Sequence, residues 1–567
     1  MSQPGPDDAL TRRQLTEAVA AQQQRQLDEA ARLYEAVLAR TPRNADALHL
    51  LGVVRAETGN SEQAAALLAA ALDVNPREPT IHFNFANLLQ TIGRLREAVA
   101  HYDLALGLAP EAAEAWYNRG NCLGRMGFGD DSLASFEAAL RVRPAYPAAM
   151  LNKGVALQKL GRFDAAVAAF EAALALRPGY AQALGNLGNV LRVMGQWERA
   201  RLVCEQAVAL HPGYAEAHAH LGNVQQNLNA HTAALENYAR ALALSPELAS
   251  AQWNRSLTLL RVGQYEAGWR GFEWRKRLST PVAVREFQQP EWLGDSDVRG
   301  KVVFLHWEMG LGDSLQFCRY APLVRALGAM VILAVPQPLV RLARTLDPAI
   351  EVVSTHAVPS RFDLHCPLMS LPLALGTTLA SIPARVPYLH AEPAQVAAWR
   401  GRLAALPGLK VGLVWSGAPR PDDPEANAID QRRSLRLDQL APLAGVAGVS
   451  FVSLQKGPAA GEAAAPPNGM VLHDWTAELD DFRDTAGLVA ALDLVISVDT
   501  SVAHLAGALG GPVWVLNRFD HCWRWLDGEG ASPWYPSALL FRQAAPGAWA
   551  AVMERVAGAL GRFSRRG

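Results

Sequence analysis

The 567-residue chain has no run of about 18 apolar residues, the length a membrane-spanning helix needs, so no membrane span is expected. Its opening stretch, MSQPGPDDALTRRQ, lacks the apolar core of a secretory leader, and a cytoplasmic location is expected. Cysteine is scarce: the five residues at 122, 204, 318, 366 and 522 are far apart, with no CxxC pair. Neither a disulfide framework nor a zinc site is indicated, and reduced, buried thiols are expected. An excess of one charge is missing too. Lys plus Arg number 53 against 54 Asp plus Glu, for a net charge of −1, which speaks against a nucleic-acid partner and a polybasic membrane anchor. Any basic site must be local. The chain is too long for one ordinary core, and several domains are expected.

What the first half has is a period. Prolines stand at 42, 76, 110, 144, 178, 212 and 246, each 34 residues from the last. Ten residues after each comes a small residue (52, 86, 120, 154, 188, 222, 256), as required where two helices of a hairpin approach closely. Seven further on is a turn residue, glycine except at Asn229, suited to a left-handed backbone. Each unit therefore reads as helix, turn, helix, closed by proline. The segment AEAWYNRGNCLGRMG resembles the tetratricopeptide repeat, and the resemblance covers about residues 11 to 280.

Such units leave a concave surface lined by the first helix of each pair. One column on that face reads Asn84, Asn118, Asn152, Asn186, His220 and Asn254, and a second, three residues later, holds Asn87, Asn121, Asn189 and Asn223. A side-chain amide donates to and accepts from a peptide bond, so the ladder could hold an extended acceptor polypeptide whatever its sequence. The same asparagines could instead bridge neighbouring helices.

The eighth unit ends in LTLLRVGQYEAGWRGFEWRKR and gives way to LSTPVAVREFQQPEWLGDSDVRG, which has the prolines and aperiodicity of a connector. Trp269, Phe272 and Trp274, at helical spacing, are expected to pack the last repeat onto the second domain. The carboxylates of DSD at 295 to 297 read as a solvated turn, and no metal site is expected. From Gly300 short apolar runs alternate with amphipathic stretches: KVVFLHW, MVILAVP and IEVVS, then KVGLVWSG, VSFVSLQ, LDLVISVD and PVWVLN. That alternation indicates parallel sheets covered on both faces, in two Rossmann-like halves bridged by a helix near residue 392. Ligands are expected in the cleft between them.

The loop after KVVFL is HWEMGLGDSLQF. Asp313 reads as the N-cap of a helix, with Gln316 as its capping-box partner, and the loop also reads as the floor of a site, because open α/β sheets bind ligands beyond the carboxyl ends of their strands. Glu308 is the other carboxylate there. In the C-terminal half, Asp499, Thr500 and Ser501 stand at a helix entrance where the N–H groups of Ser501, Val502 and Ala503 favour an anion such as a diphosphate. Ser416 and Gly417, Arg432 and Arg433 with Ser434, and Gln455 and Lys456 belong to loops on the same edge, and their cations and N–H donors could neutralise a phosphate leaving group without a metal. His504 would join that loop or pack beneath it. His521, Trp523 and Trp525 would line an acceptor or sugar pocket, or belong to the core.

GLGDSLQFCRYAPLV, DLVISVDTSVAHLAGALGGPVWVL and SPWYPSALLFRQ resemble the heptosyltransferase-like glycosyltransferases of family 9, of the GT-B fold, in the branch that carries tetratricopeptide repeats. The likeness covers roughly residues 300 to 562. It implies a base at Asp313, beside Gly312 on the acceptor side, and donor binding at Asp499, Thr500 and their neighbours. DTSVAH departs from the glycine and proline those enzymes have after DT, so their sugar preference is not implied. The expected organisation is an α-solenoid of tetratricopeptide repeats over 11–282, a linker over 283–299, an acceptor-side Rossmann-like half over 300–392 and a nucleotide-sugar half over 393–567. The expected activity is transfer of a sugar from a nucleotide donor, as substrate and with no cofactor, to a hydroxyl of a protein bound by the repeats. The alternatives are transfer to a lipopolysaccharide or capsule precursor, and a non-catalytic repeat scaffold.

Overall fold

The computed structural model describes residues 6–278, 285–528, 530 and 532–565, with side chains from residue 9 onward. Residues 279–284, which contain the expected end of the solenoid at 282 and the start of the linker at 283, lie outside the described residues. The chain divides into two compact units, Met1–Val190 and Leu191–Gly567.

The described helices from Pro6–Gln23 to Tyr265–Phe272 form eight successive pairs. In the first seven pairs proline ends the second helix by acting on the residue before it: Thr41 (φ −127°, ψ 76°) and Ala109 (φ −136°, ψ 77°) leave the helical region ahead of Pro42 and Pro110. The turn residues sit at positive φ, for example Gly93 at 82° and Asn229 at 60°. The small residues are small because the facing helix touches their backbone. A Cβ on Gly154 would lie 2.5 Å from the Phe170 ring, and one on Gly120 would lie 2.7 Å from Phe136.

In the second unit the last repeats share a core with two wholly parallel sheets. The first contains β1 (Val302–His306), β2 (Met330–Val335), β3 (Glu351–Ser354) and β4 (Leu364–Pro367) in the order β3-β2-β1-β4. The second contains β5 (Leu409–Val414), β6 (Val449–Ser453), β7 (Leu472–Asp474), β8 (Leu494–Val498), β9 (Val513–Asn517) and β10 (Ala538–Arg542) in the order β10-β9-β8-β5-β6-β7. These are the two Rossmann-like halves, joined through the helix Pro393–Leu403. Strands β4, β7 and β10 went unrecognised in the sequence. LHCP and LHD are too short to show a period, and ALLFR follows an aromatic, proline-rich turn.

Trp269 and Phe272 do pack the last repeat onto the sheets, meeting Trp523 at 5.2 and 6.2 Å between ring centroids. Trp274 instead lies under the Arg277 guanidinium, 4.7 Å from its ring centroid. Four of the cysteines are buried and all five are free thiols; burial pushes Cys318 up to about 12. Among the described residues no helix is long and apolar enough to cross a membrane.

Gly154→Ala is expected to lower the melting temperature of the repeats, because overpacking against Phe170 costs about 1 to 3 kcal/mol. Gly107, on an exposed helix face where a Cβ would meet nothing within 4 Å, should respond the other way, Gly107→Ala gaining up to about 1 kcal/mol of helix propensity. Thermal melts followed by circular dichroism compare the two.

Candidate functional site

A parallel sheet opens a crevice at the carboxyl edge where its strand order reverses. In the first sheet the reversal falls beside β1, and the loop after β1 is WEMGLGD. In the second it falls between β5 and β8, whose loops carry Ser416, Gly417 and Asp499 to Ser501. Two helices continue from these loops, Leu311–Phe317 and Ser501–Ala508, and they meet at their entrances. A Cβ on Gly312 would lie 2.9 Å from His504 Cδ2 and 3.6 Å from Ser501 Cα. Glycine at 312 is what allows the two halves to touch there.

Asp313 is not the N-cap. Gly310 holds that position in extended conformation (φ −75°, ψ 172°), and Asp313, at the third helical residue, accepts from the Gly310 N–H at 2.8 Å. This is the reaching-back half of a capping box; glycine at the N-cap has no side chain to supply the other half. Gln316 turns inward, fully buried, and its Oε1 accepts from Arg524 Nε at 2.8 Å. The same guanidinium is paired with the other Asp313 oxygen. Glu308 lies apart from this pair. It is 6% exposed and takes two hydrogen bonds from Arg275, at 3.0 and 2.7 Å, while Arg275, 1% exposed, also reaches Ser370 Oγ at 2.7 Å. Burial raises the Glu308 pKa, and the Arg275 charge opposes that rise.

The β5, β6 and β8 loops are tied together. Gln455 Oε1 accepts from the N–H groups of Trp415 (3.0 Å) and Ser416 (2.8 Å), and its amide donates to Ser416 O and Lys456 O. Arg433 crosses from the helix Pro424–Arg433 to donate to Asp499 O at 3.0 Å and pairs with Asp430 at 2.8 Å. Its guanidinium lies on Gly417, where a Cβ would come within 2.7 Å of it, and its buried Nε has no hydrogen-bond partner. Arg432 points elsewhere, donating to Val193 O at 2.8 Å and lying near the Trp197 ring. Lys456 is exposed and bonds to Leu479 O.

At the entrance of the helix Ser501–Ala508, Thr500 is the N-cap and its hydroxyl lies 3.0 Å from Ser497 Oγ. Ala503 N–H turns back to Thr500 O at 3.1 Å, so the outward donors are those of Ser501 and Val502, not all three. His504 stacks on Trp525 (5.5 Å, 19°), and its Nδ1 is 3.0 Å from the Tyr535 hydroxyl. Burial pulls its pKa down to about 4, against the nearby Asp499 charge. His504 Nε2 lies 3.9 Å from Asp499 Oδ1.

His521 and Trp523 are both buried. Trp523 sits in the aromatic cluster with Trp269, Phe317 and Trp534, and His521 Nε2 lies 2.8 Å from Leu526 O. They shape the wall behind Arg524 rather than an open pocket. Trp525, the third residue of that pocket reading, is also buried and stacks on His504. Arg524, which reaches Asp313, was not singled out; its signal was the density of aromatic and basic residues in RFDHCWRWL, which does not say which of them points inward.

In the first unit the asparagine columns bond to each other. Asn118 donates to Asn87 Oδ1 at 3.0 Å, Asn152 donates to Asn121 Oδ1 at 2.7 Å, and Asn84 meets His49 Nε2 at 2.8 Å. Asn186 is half-buried in the corresponding position. Among the described residues no group of three His, Cys, Asp or Glu is placed to hold a metal ion.

The tetratricopeptide repeat family matches residues 15–80, 83–125, 123–181, 153–215 and 186–249. Protein FlbA of Caulobacter vibrioides (strain ATCC 19089 / CIP 103742 / CB 15) is 33% identical over 343 positions, which cover 56% of each chain. The chain thus spans little more than half the length of that curated relative. Among solved structures, YrrB, described as a tetratricopeptide repeat protein with an unusual peptide-binding site, is 27% identical and covers 33% of this chain and 96% of its own, with a TM-score of 0.29. A tetratricopeptide repeat protein from Parabacteroides merdae ATCC 43184 is 19% identical and covers 44% of this chain and 99% of its own, with a TM-score of 0.37.

Arg275→Met would strand the Glu308 carboxylate in the core, and is expected to cost on the order of 3 to 5 kcal/mol. The double variant Arg275→Met/Glu308→Met should recover most of the loss. Urea unfolding of the two proteins measures the difference.

Proposed function

We propose that the two Rossmann-like halves form a glycosyltransferase of GT-B type, moving a sugar from a nucleotide-sugar donor to an acceptor hydroxyl. The observation that carries the reading is the meeting of two switch-point loops, one with a partly exposed carboxylate, Asp313, and the other with an anion-favouring helix entrance. The donor diphosphate would lie at Ser501 and Val502, whose N–H groups have no carbonyl within their helix, beside Gly417 and the Arg433 guanidinium. In the transfer the acceptor oxygen bonds to the anomeric carbon as the bond from that carbon to the diphosphate breaks. Asp313 takes the hydroxyl proton, and the nucleoside diphosphate leaves as an anion facing Arg433 and the helix dipole. A carboxylate can accept about four hydrogen bonds, so Gly310 and Arg524 leave room on Asp313 for the acceptor. Glu308 is assigned a structural role, because Arg275 already claims it.

The acceptor is proposed to be a protein held along the asparagine face of the repeats. A second reading, a glycan-precursor acceptor with repeats that serve only assembly, is favoured by the bonds that Asn118 and Asn152 make to the neighbouring repeat.

Asp313→Asn should keep donor binding, yet lose about 10²-fold or more in turnover, as for a missing general base. Arg433→Ala should weaken nucleoside diphosphate binding by about 1.5 to 3 kcal/mol, the range of a charge-assisted hydrogen bond. Calorimetry in EDTA and initial rates on the same proteins check both. Unchanged affinity in Arg433→Ala would remove the diphosphate from these loops.

A further inference from the structure

Six of the eight turn positions in the repeats are glycine, and the other two are Arg25, in the first repeat, and Asn229. Asn229 adopts φ 60°, a conformation glycine takes more readily. The side chain explains the exchange. Asn229 Nδ2 donates to Phe519 O at 3.2 Å, and its Oδ1 accepts from Arg261 Nη2 at 2.7 Å. Arg261, 3% exposed, donates through Nε to Asp527 Oδ1 at 2.9 Å and lies 3.3 Å from His521 Nδ1. His231 Nε2 is 2.7 Å from the other Asp527 oxygen, and Asn227 donates to Asp520 Oδ2 at 3.0 Å. Burial works against the Asp527 charge, but His231, His521 and Arg261 outweigh it and hold the carboxyl well below the usual carboxylate range.

Four side chains of the seventh and eighth repeats thus grip both ends of residues 519–527. Between the ends lie Arg524, on Asp313 and Gln316, and Trp525, stacked on His504. The segment has little regular structure of its own beyond the short turn Trp523–Trp525, and Leu526 takes φ 49°, a backbone state that persists only when the surroundings impose it.

We propose that the seventh and eighth repeats are a clamp: Asn227, Asn229, His231 and Arg261 fix residues 519–527 and thereby hold Arg524 against Asp313. Asn229 and Arg261 are then positioning residues for the transfer. The effect on turnover rests on the transferase reading, whereas the order of the segment does not. Repeats with this duty are a mount for the site, and the asparagine column is interrupted at one of them, by the half-buried His220.

The test uses the full chain with Asn229→Gly, which suits the positive φ and removes only the side-chain bonds, and with Arg261→Met. Hydrogen exchange read by mass spectrometry should show the amides of 519–527 exchanging at least about tenfold faster in both variants, with 231–244 unchanged in Asn229→Gly. Rates with a panel of UDP- and GDP-sugars should show kcat falling about tenfold in Asn229→Gly, with donor KM changed less than about twofold. Wild-type protection of 519–527 in both variants would overturn the clamp, whatever the rates. Faster exchange with unchanged kcat would overturn the positioning role. Faster exchange in a chain whose wild type turns over no sugar would leave the clamp standing and remove the transferase reading.

Discussion

A parallel strand must be followed by a crossover, and a sheet that reverses the direction of its crossovers leaves two loops diverging at the reversal. That constraint places the candidate site of this chain. It acts beside β1 and again between β5 and β8, so the WEMGLGD loop and the loops at 416 and 499 are the ones free to face a ligand. The helices leaving them touch through Gly312 and His504, and the surrounding ties, Gln455 between the β5 and β6 loops and Arg433 onto Asp499, set their spacing.

The second consequence concerns the repeats. Their last members are not an appendage joined by a linker: Trp269 and Phe272 enter the core of the sheets, Arg275 meets Glu308 beneath the first switch-point loop, and Arg261 meets Asp527 behind Arg524.

The solenoid was legible because proline, a small residue and a turn glycine recur at fixed offsets, each with a steric cause. Seven strands were legible as apolar runs, while β4 and β7, of four and three residues, are set by neighbours that only the fold supplies. At the candidate site, the loops marked in the sequence lie at the carboxyl edges of the two sheets, but the directions of side chains within them were not legible. Arg432 and Arg433 are adjacent and look equivalent, yet one faces a repeat and the other the β8 loop. Asp313 looked like an N-cap because DSLQ has the spacing of a capping box, whereas Gly310 starts the helix three residues earlier. The asparagine columns were read as a peptide ladder or helix ties, and Asn118 and Asn152 each bond to an asparagine of the neighbouring repeat.

The central claim is that these loops hold a nucleoside diphosphate. Its most direct test is the melting of the full chain in EDTA with a concentration series of UDP, GDP, ADP and CDP, since a ligand that binds only the folded state must raise the transition. A saturable rise with at least one of them is expected, abolished together with Ser501→Pro, which removes an outward N–H at the helix entrance while proline remains compatible with that first helical position. No rise with any of the four, or a rise that Ser501→Pro leaves intact, would contradict the account.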